Sequence, residues 1–254
     1  MNKKKSQGDR LRKGIYILPN LFTSLNAFCG FYSIIASINK HYEAAAVSIL
    51  IAVVFDSLDG KIARATNTTS KFGVEYDSLA DVISFGLAPA LMIYLWMLTG
   101  FGKTGWLAAF LYTICGALRL ARFNTLSGVI SSEYFQGLPI PAAAGMCASI
   151  VLFVTKYDLS FTYQPVMILI MLYILAFLMV SSIKYNSFKK AELFRRIRFS
   201  VFVVMILTFV FIVERIQAAF FTIAIIYMVS GPLSLIFGWY KHRHHVEVKD
   251  NQIQ

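Results

Sequence analysis

Runs of about 20 mostly apolar residues recur along this chain, and they limit what it can fold into. A helix needs about 20 residues, at about 1.5 Å each, to cross the hydrocarbon of a bilayer. Segments near that length fall at 17–38, 42–64, 74–98, 104–122, 139–157, 164–183, 197–213 and 219–240. The sequence therefore predicts an all-α integral membrane protein with about eight transmembrane helices, in one domain spanning residues 1–254. Composition agrees. The chain is 57% hydrophobic and only 15% charged, where a soluble domain carries roughly a quarter charged residues.

A net charge of +11 raises nucleic acid as a partner, but the distribution of that charge points elsewhere. With the N-terminus cytoplasmic, 20 of the 24 lysines and arginines fall inside, within 1–13, 61–71, 119–122, 184–198 and 241–249. Lys40, Lys103, Lys156 and Arg215 are left outside. That is the positive-inside asymmetry of a multi-pass protein with eight spans and both termini cytoplasmic. Attraction to anionic lipid headgroups is a secondary consequence. No basic stripe with interleaved aromatics is present, so no nucleic-acid partner is expected.

The first 16 residues read as a cytoplasmic juxtamembrane segment lying on the surface, not as a signal peptide. Pro19, Asn20 and Asn26 interrupt the apolar run that follows, and no small-x-small site ends it. Residues 241–254 read as a solvated cytoplasmic tail. Cys29, Cys115 and Cys147 lie far apart in apolar runs, with neither metal nor disulfide spacing. Pro139 and Pro165 suit helix starts, whereas Pro89 and Pro232 should kink their spans unless neighbours satisfy the freed carbonyls. The small residues of "PAAAG" at 141–145 favour close helix packing.

Against this apolar background stands "DSLDGKIARATNTTSKFGVEYDSLAD" at 56–81, which holds five of the 13 acidic residues. At about 100° per residue, Asp56, Asp59, Gly60, Ala63 and Arg64 share one helix face, with Lys61 off it. Gly73, Asp77 and Asp81 share a face of the next helix, with Glu75 opposite. The connection is short, so the two acidic faces are expected to meet. Four carboxylates at a membrane boundary repel one another, and each is expensive to bury unpaired. One arginine cannot neutralise them. Divalent cations with hard oxygen ligands can, as Mg²⁺ or Mn²⁺, and a pair of such ions forms a phosphoryl-transfer clamp. The plainer reading, carboxylates snorkelling toward Lys61 and Lys71, leaves the glycines and Arg64 on the same faces unexplained.

The full pattern is Asp56-x2-Asp59-Gly60-x2-Ala63-Arg64-x8-Gly73-x3-Asp77-x3-Asp81. It resembles the complete signature of the CDP-alcohol phosphatidyltransferase family. The resemblance implies that Asp56, Asp59 and Asp77 are shared ligands of two divalent cations. Asp81 would complete the second metal site and accept the proton of the incoming alcohol. Gly60, Ala63 and Gly73 would line the cytidine nucleotide, Arg64 would hold its diphosphate, and Asn20 and Thr23 would lie close to it. Capping or helix–helix hydrogen bonding explains Asn20 and Thr23 equally well. A six-helix core with two added C-terminal helices, and a homodimer in a prokaryotic cytoplasmic membrane, are implied as well. The substrate would be a CDP-activated lipid such as CDP-diacylglycerol, with the active site on the cytoplasmic side.

"RLARFN" at 119–124, "FQGLPIPAAAG" at 135–145 and "SSIKYNSFKK" at 181–190 resemble the membrane-integral family members whose acceptor is L-serine. With "PNLFTSLNAFCGF" at 19–31, the resemblance covers the chain to about residue 190. Serine carries a carboxylate, which a guanidinium grips with two hydrogen bonds. Arg119 and Arg122, one turn apart, are candidates for that grip; as alternatives, both are topological anchors or one binds lipid phosphate. Lys184, Asn186 and Lys189 are candidates for the same cavity, and Glu133 for the serine ammonium. Another acceptor, such as glycerol 3-phosphate or inositol, is the rival within this chemistry. A cation transporter is the rival outside it, and a catalytically dead scaffold a third.

Overall fold

The computed structural model describes residues 3–66, 68–126, 134–186, 215 and 217–233. Helix α1 (Lys3–Ile38) is followed by α2 (Tyr42–Ala65). A continuous helical rod, Lys71–Phe101, comes next. It comprises α3 (Lys71–Asp81), a π-helical turn at Val82–Leu87, α4 (Ala88–Ile93), a second π turn at Tyr94–Leu98 and a 3-10 turn at Thr99–Phe101. Then come α5 (Lys103–Leu126), α6 (Ile140–Lys156), α7 (Gln164–Val180) and α8 (Gln217–Leu233). Among the described residues the helical reading holds apart from one short antiparallel pair, β1 (Tyr134–Gln136) with β2 (Lys184–Asn186). Both strands lie between the apolar runs, β1 between 104–122 and 139–157 and β2 just after 164–183.

Among the described residues, three stretches are long and apolar enough to cross a membrane: Leu18–Ile38, Lys71–Phe101 and Lys103–Thr125. Ile140–Lys156, Gln164–Val180 and Gln217–Leu233 are shorter apolar helices. The expected run at 197–213 and the tail at 241–254 lie outside the described residues. From Lys3 the juxtamembrane segment is helical and continuous with the apolar stretch of α1.

The packing is inside-out relative to a soluble bundle. Phe28, Phe31, Val54, Phe110 and Phe177 are more than half exposed, while Ala45, Ala46, Ala52, Ala143 and Ala144 are fully buried. Apolar surface this continuous needs a lipid solvent, and small residues between helices let backbones approach where no hydrophobic effect drives association. Gly145, the last of the small run, faces open space and is not needed for packing.

The turn between α1 and α2 is tight. Lys40 takes a left-handed φ of 62°, and the Lys40 and His41 amides close back onto the Ser37 and Ala36 carbonyls at 3.0 and 2.8 Å. Below it, the Ser48 hydroxyl donates to the Cys29 carbonyl at 2.8 Å. Pro89 does not force a sharp break. Its missing N–H coincides with the π turn just before it, and the Phe85 carbonyl accepts from the Tyr112 hydroxyl at 3.2 Å. The neighbouring Gly86 carbonyl accepts from Thr113 at 3.3 Å. This is the neighbour satisfaction that a proline within a membrane helix requires.

Alternation of the helices sends the α2–α3 turn, the α5–α6 connection and the end of α7 to one end of the bundle. Two backbone bonds tie that end together. Gly137, at φ 78°, donates to the Ile183 carbonyl at 2.8 Å, and Leu138 donates to the Leu178 carbonyl at 3.0 Å.

Candidate active site

In its last turns α2 gives up its apolar pattern at Asp56 and Asp59 and runs on to Ala65. Thr66 closes it, its amide and hydroxyl both donating to the Ile62 carbonyl at 2.9 and 2.7 Å. Four residues later Ser70 caps α3, its hydroxyl accepting from the Gly73 amide at 3.0 Å, so the rod carrying Asp77 and Asp81 starts at once. This short turn folds the two acidic faces together.

Asp59 and Asp81 are buried, and Asp56 and Asp77 are half-buried. One carboxylate oxygen from each of Asp56, Asp59 and Asp77 lies within 4.8 Å of the others. The Asp77 Oδ1 is buried with no hydrogen-bond partner among the described residues. Three convergent hard oxygen donors, one of them orphaned, suit Mg²⁺ or Mn²⁺ and do not suit a softer metal. Asp81 stands outside this three-residue group and lines the same cavity. Lys61 and Glu75 are exposed and off the cavity, as their helical angles require.

The cavity has a volume of about 480 Å³, within the range of small-molecule sites. Gly60, Ala63, Arg64 and Gly73 form one wall with Asn20 and Thr23. The Arg64 guanidinium lies over Gly60, with Nη1 3.6 Å from where a Cβ would be. Across from it, the Asn20 Oδ1 stands 3.6 Å from the corresponding point on Gly73. Both glycines therefore border polar groups directed along the wall, and a side chain at either would narrow the space beside the acids. Thr23 donates to Asp59 Oδ2 at 2.9 Å and lies 3.2 Å from the Pro19 carbonyl.

The opposite wall comes from α5 and α6. Arg119 is buried, lines the cavity, and has an Nε with no hydrogen-bond partner among the described residues. Arg122 is placed differently. Its Nη1 donates to the Val180 carbonyl at 3.4 Å, at the C-terminus of α7, where a cation complements the helix dipole. Of the two arginines, only Arg119 is among the cavity-lining residues. Lys184 belongs to β2, opposite Gln136; Glu133 and Lys189 lie outside the described residues.

Several polar residues of the site were not singled out in the sequence. Asn26, fully buried, donates from Nδ2 to Asp81 Oδ1 at 3.0 Å. Asn124 donates to the Ser78 hydroxyl at 2.9 Å, joining α5 to α3 at the cavity. Ser70 acts as the cap described above. A signal for Asn26 was available: Asn20, Thr23 and Asn26 recur every three residues along an otherwise apolar helix, which puts polar groups along one side.

Comparison with known proteins bears on this geometry. The family model for CDP-alcohol phosphatidyltransferase matches residues 16–183. A CDP-diacylglycerol--serine O-phosphatidyltransferase from Helicobacter pylori (strain ATCC 700392 / 26695) is 39% identical over 223 residues, which is 88% of this chain and 92% of the relative. An archaetidylserine synthase from Methanothermobacter thermautotrophicus is 42% identical over 170 residues, 66% of this chain and 69% of the relative. A CDP-diacylglycerol--serine O-phosphatidyltransferase from Bacillus subtilis (strain 168) is 38% identical over 173 residues, 68% of this chain and 92% of the relative. With its signature residues gathered around one cavity and the family match covering the helices that build it, the chain belongs to the CDP-alcohol phosphatidyltransferase family.

Proposed function

We propose that this protein transfers the phosphatidyl group of CDP-diacylglycerol to the hydroxyl of L-serine and releases CMP. The observation that carries this reading is one cavity with an acidic wall from α2 and α3 and a buried arginine, Arg119, facing it from α5. The acids fit an activated phosphate, and the arginine fits a carboxylate on the acceptor. The relatives differ in the lipid that their names give and agree on serine.

Asp56, Asp59 and Asp77 would hold two divalent cations, Mg²⁺ or Mn²⁺, with Asp81 completing the second site. Bound there, the ions supply Lewis-acid stabilisation of charge on the phosphate oxygens. Gly60, Ala63 and Gly73 leave room for the cytidine nucleotide beside Asn20 and Thr23, and Arg64 meets its diphosphate. Asp81 removes the proton from the serine hydroxyl as general base. The serine oxygen then bonds to the lipid-linked phosphorus, and the bond from that phosphorus to the CMP oxygen breaks. Arg119 holds the serine carboxylate and so aims the hydroxyl. Arg122 and Lys184 add positive charge at the same end of the bundle, and Glu133 is assigned to the serine ammonium.

The distribution of lysine and arginine supports a cytoplasmic site and both termini inside, with eight spans; a prokaryotic cytoplasmic membrane rests on the family resemblance. At that interface lipid tails stay in the bilayer while serine and CMP exchange with water. A homodimer rests on the family resemblance alone.

The test is CMP release by purified protein in detergent–lipid micelles with CDP-diacylglycerol and Mn²⁺ or Mg²⁺, offering L-serine, glycerol 3-phosphate and inositol separately. The expected result is release that requires serine and stops with EDTA. Release with another alcohol would keep the acidic site and overturn the acceptor. Ion flux in sealed vesicles, with no release for any alcohol, would favour the transporter.

A further inference from the structure

We propose that Asn26 is a positioning residue for Asp81, holding one carboxylate oxygen so that the other is presented to the acceptor hydroxyl. The inference rests on the general-base reading of Asp81 given above. Asn26 is fully buried in α1, and its Nδ2 lies 3.0 Å from Asp81 Oδ1. An ionised carboxylate only accepts hydrogen bonds, so the amide nitrogen must be the group that faces it. Oδ1 is thereby held in place as an acceptor, and the remaining lone pairs of the carboxylate are left for the second cation and for the acceptor hydroxyl.

Asn26 makes this contact at a cost. Its own Oδ1 is buried with no partner among the described residues, and an unsatisfied buried acceptor destabilises a fold. A leucine of similar size would fill the space without that penalty. Packing therefore does not account for asparagine here, whereas a donor aimed at Asp81 does.

Around the pair, α1 and the rod are in close backbone contact. The Ser84 hydroxyl donates to the Asn26 backbone carbonyl at 2.9 Å. One turn further along α1, a Cβ on Gly30 would stand 2.6 Å from the Ser84 Cα, so α1 and the rod touch nearly backbone to backbone. Asp81 is the last residue before the π turn at Val82–Leu87, a kind of turn that is frequent at functional sites. The same helix face repeats the device one turn earlier, where Thr23 donates to Asp59. α1 thus supplies one donor to each of the two buried aspartates, Asp59 and Asp81.

The test uses the full-length protein in micelles, with three substitutions and three readouts. Asn26→Leu removes the donor, Asn26→Thr keeps a hydroxyl donor, and Ser84→Ala breaks the neighbouring contact without touching Asp81. The readouts are kcat and KM for both substrates, CDP-diacylglycerol binding without serine, and the thermal unfolding midpoint in EDTA. A misaimed catalytic group costs on the order of 100-fold in rate. For Asn26→Leu we expect a kcat loss of that order with CDP-diacylglycerol binding within about threefold, and little change in the unfolding midpoint, because an Asp81 Oδ1 left without its donor offsets the removal of the unpartnered Asn26 Oδ1. Asn26→Thr should recover about a tenth of the wild-type rate, and Ser84→Ala should stay within about threefold.

Wild-type kcat in Asn26→Leu with a normal midpoint overturns the positioning role. So does equal loss in Asn26→Leu and Ser84→Ala, because helix packing alone would then explain both. Should Asn26→Leu not fold, Asn26→Thr against Ser84→Ala decides in the same way. A wild-type protein that releases no CMP with serine would fail the functional reading itself, which is a different result from any of these.

Discussion

The interface between α1 and α2 has two halves built on opposite rules. Toward the Lys40 turn it is packed with Ala36, Ala45, Ala46 and Ile49, each 4% exposed or less, and its hydroxyls return to backbone carbonyls. Toward the other end the same two helices carry Thr23, Asp56 and Asp59, which line the cavity of about 480 Å³. One half gains stability from close contact. The other holds buried carboxylates that gain nothing by being near one another. Substitutions in the first half should therefore be read in stability, and those in the second in turnover.

The largest effect is expected at Asp81→Asn, which keeps shape and removes the proposed base. Loss of a positioned general base costs about 10²- to 10⁴-fold, so kcat should fall by at least that range with an unchanged unfolding midpoint. Steady-state CMP release and a thermal melt on the same sample check this, and near-normal kcat would take the base role from Asp81. Next comes Arg119→Ala. A charge-assisted hydrogen bond is worth about 1.5–3 kcal/mol, so the serine KM should rise about 10- to 100-fold while the KM for CDP-diacylglycerol stays near wild type. Arg122→Ala sharpens the point. With its guanidinium on the Val180 carbonyl, its effect should fall mainly on stability, and a serine KM shift as large as that of Arg119→Ala would put both arginines on the acceptor.

In the packed half, Ala46→Leu inserts three carbons where no space exists. It should cost about 1–3 kcal/mol, seen as a lower unfolding midpoint, while kcat per folded molecule holds. Equal loss of kcat would show that the two halves are not separable. The smallest effect is expected at Ser70→Ala, which removes the cap of α3 and should cost about 1 kcal/mol, read as a small shift of the same midpoint.

The difference between the halves also explains what the sequence revealed. Charged residues in an apolar chain are rare enough to be noticed, and helical angles alone put Asp56, Asp59, Asp77 and Asp81 at one place. Lys61 and Glu75 were correctly set aside by the same angles. The family signature then assigned roles that angles cannot. Neutral polar groups were harder to read. Asn26 looked like an interruption of an apolar run, because its meaning depends on Asp81, 55 positions away. Arg119 and Arg122 were indistinguishable by type and spacing, and only the packing of α5 against α7 turns one to the cavity and the other to a helix end. Pro89 announced a distortion, yet the form it takes, a π turn with Tyr112 bonded to the freed carbonyl, depends on a different helix. The β1–β2 pair joins two distant connections with no alternating apolar pattern to betray it.

The most direct test of the account is transfer itself. Purified protein would be given CDP-diacylglycerol, Mn²⁺ and radiolabelled L-serine, with label in the organic-extractable lipid and free CMP measured together. The account predicts that label enters the lipid in equal amount to the CMP released, and that both vanish in Asp81→Asn. CMP release without label in the lipid, or labelled lipid still formed by the Asp81→Asn protein, would contradict it.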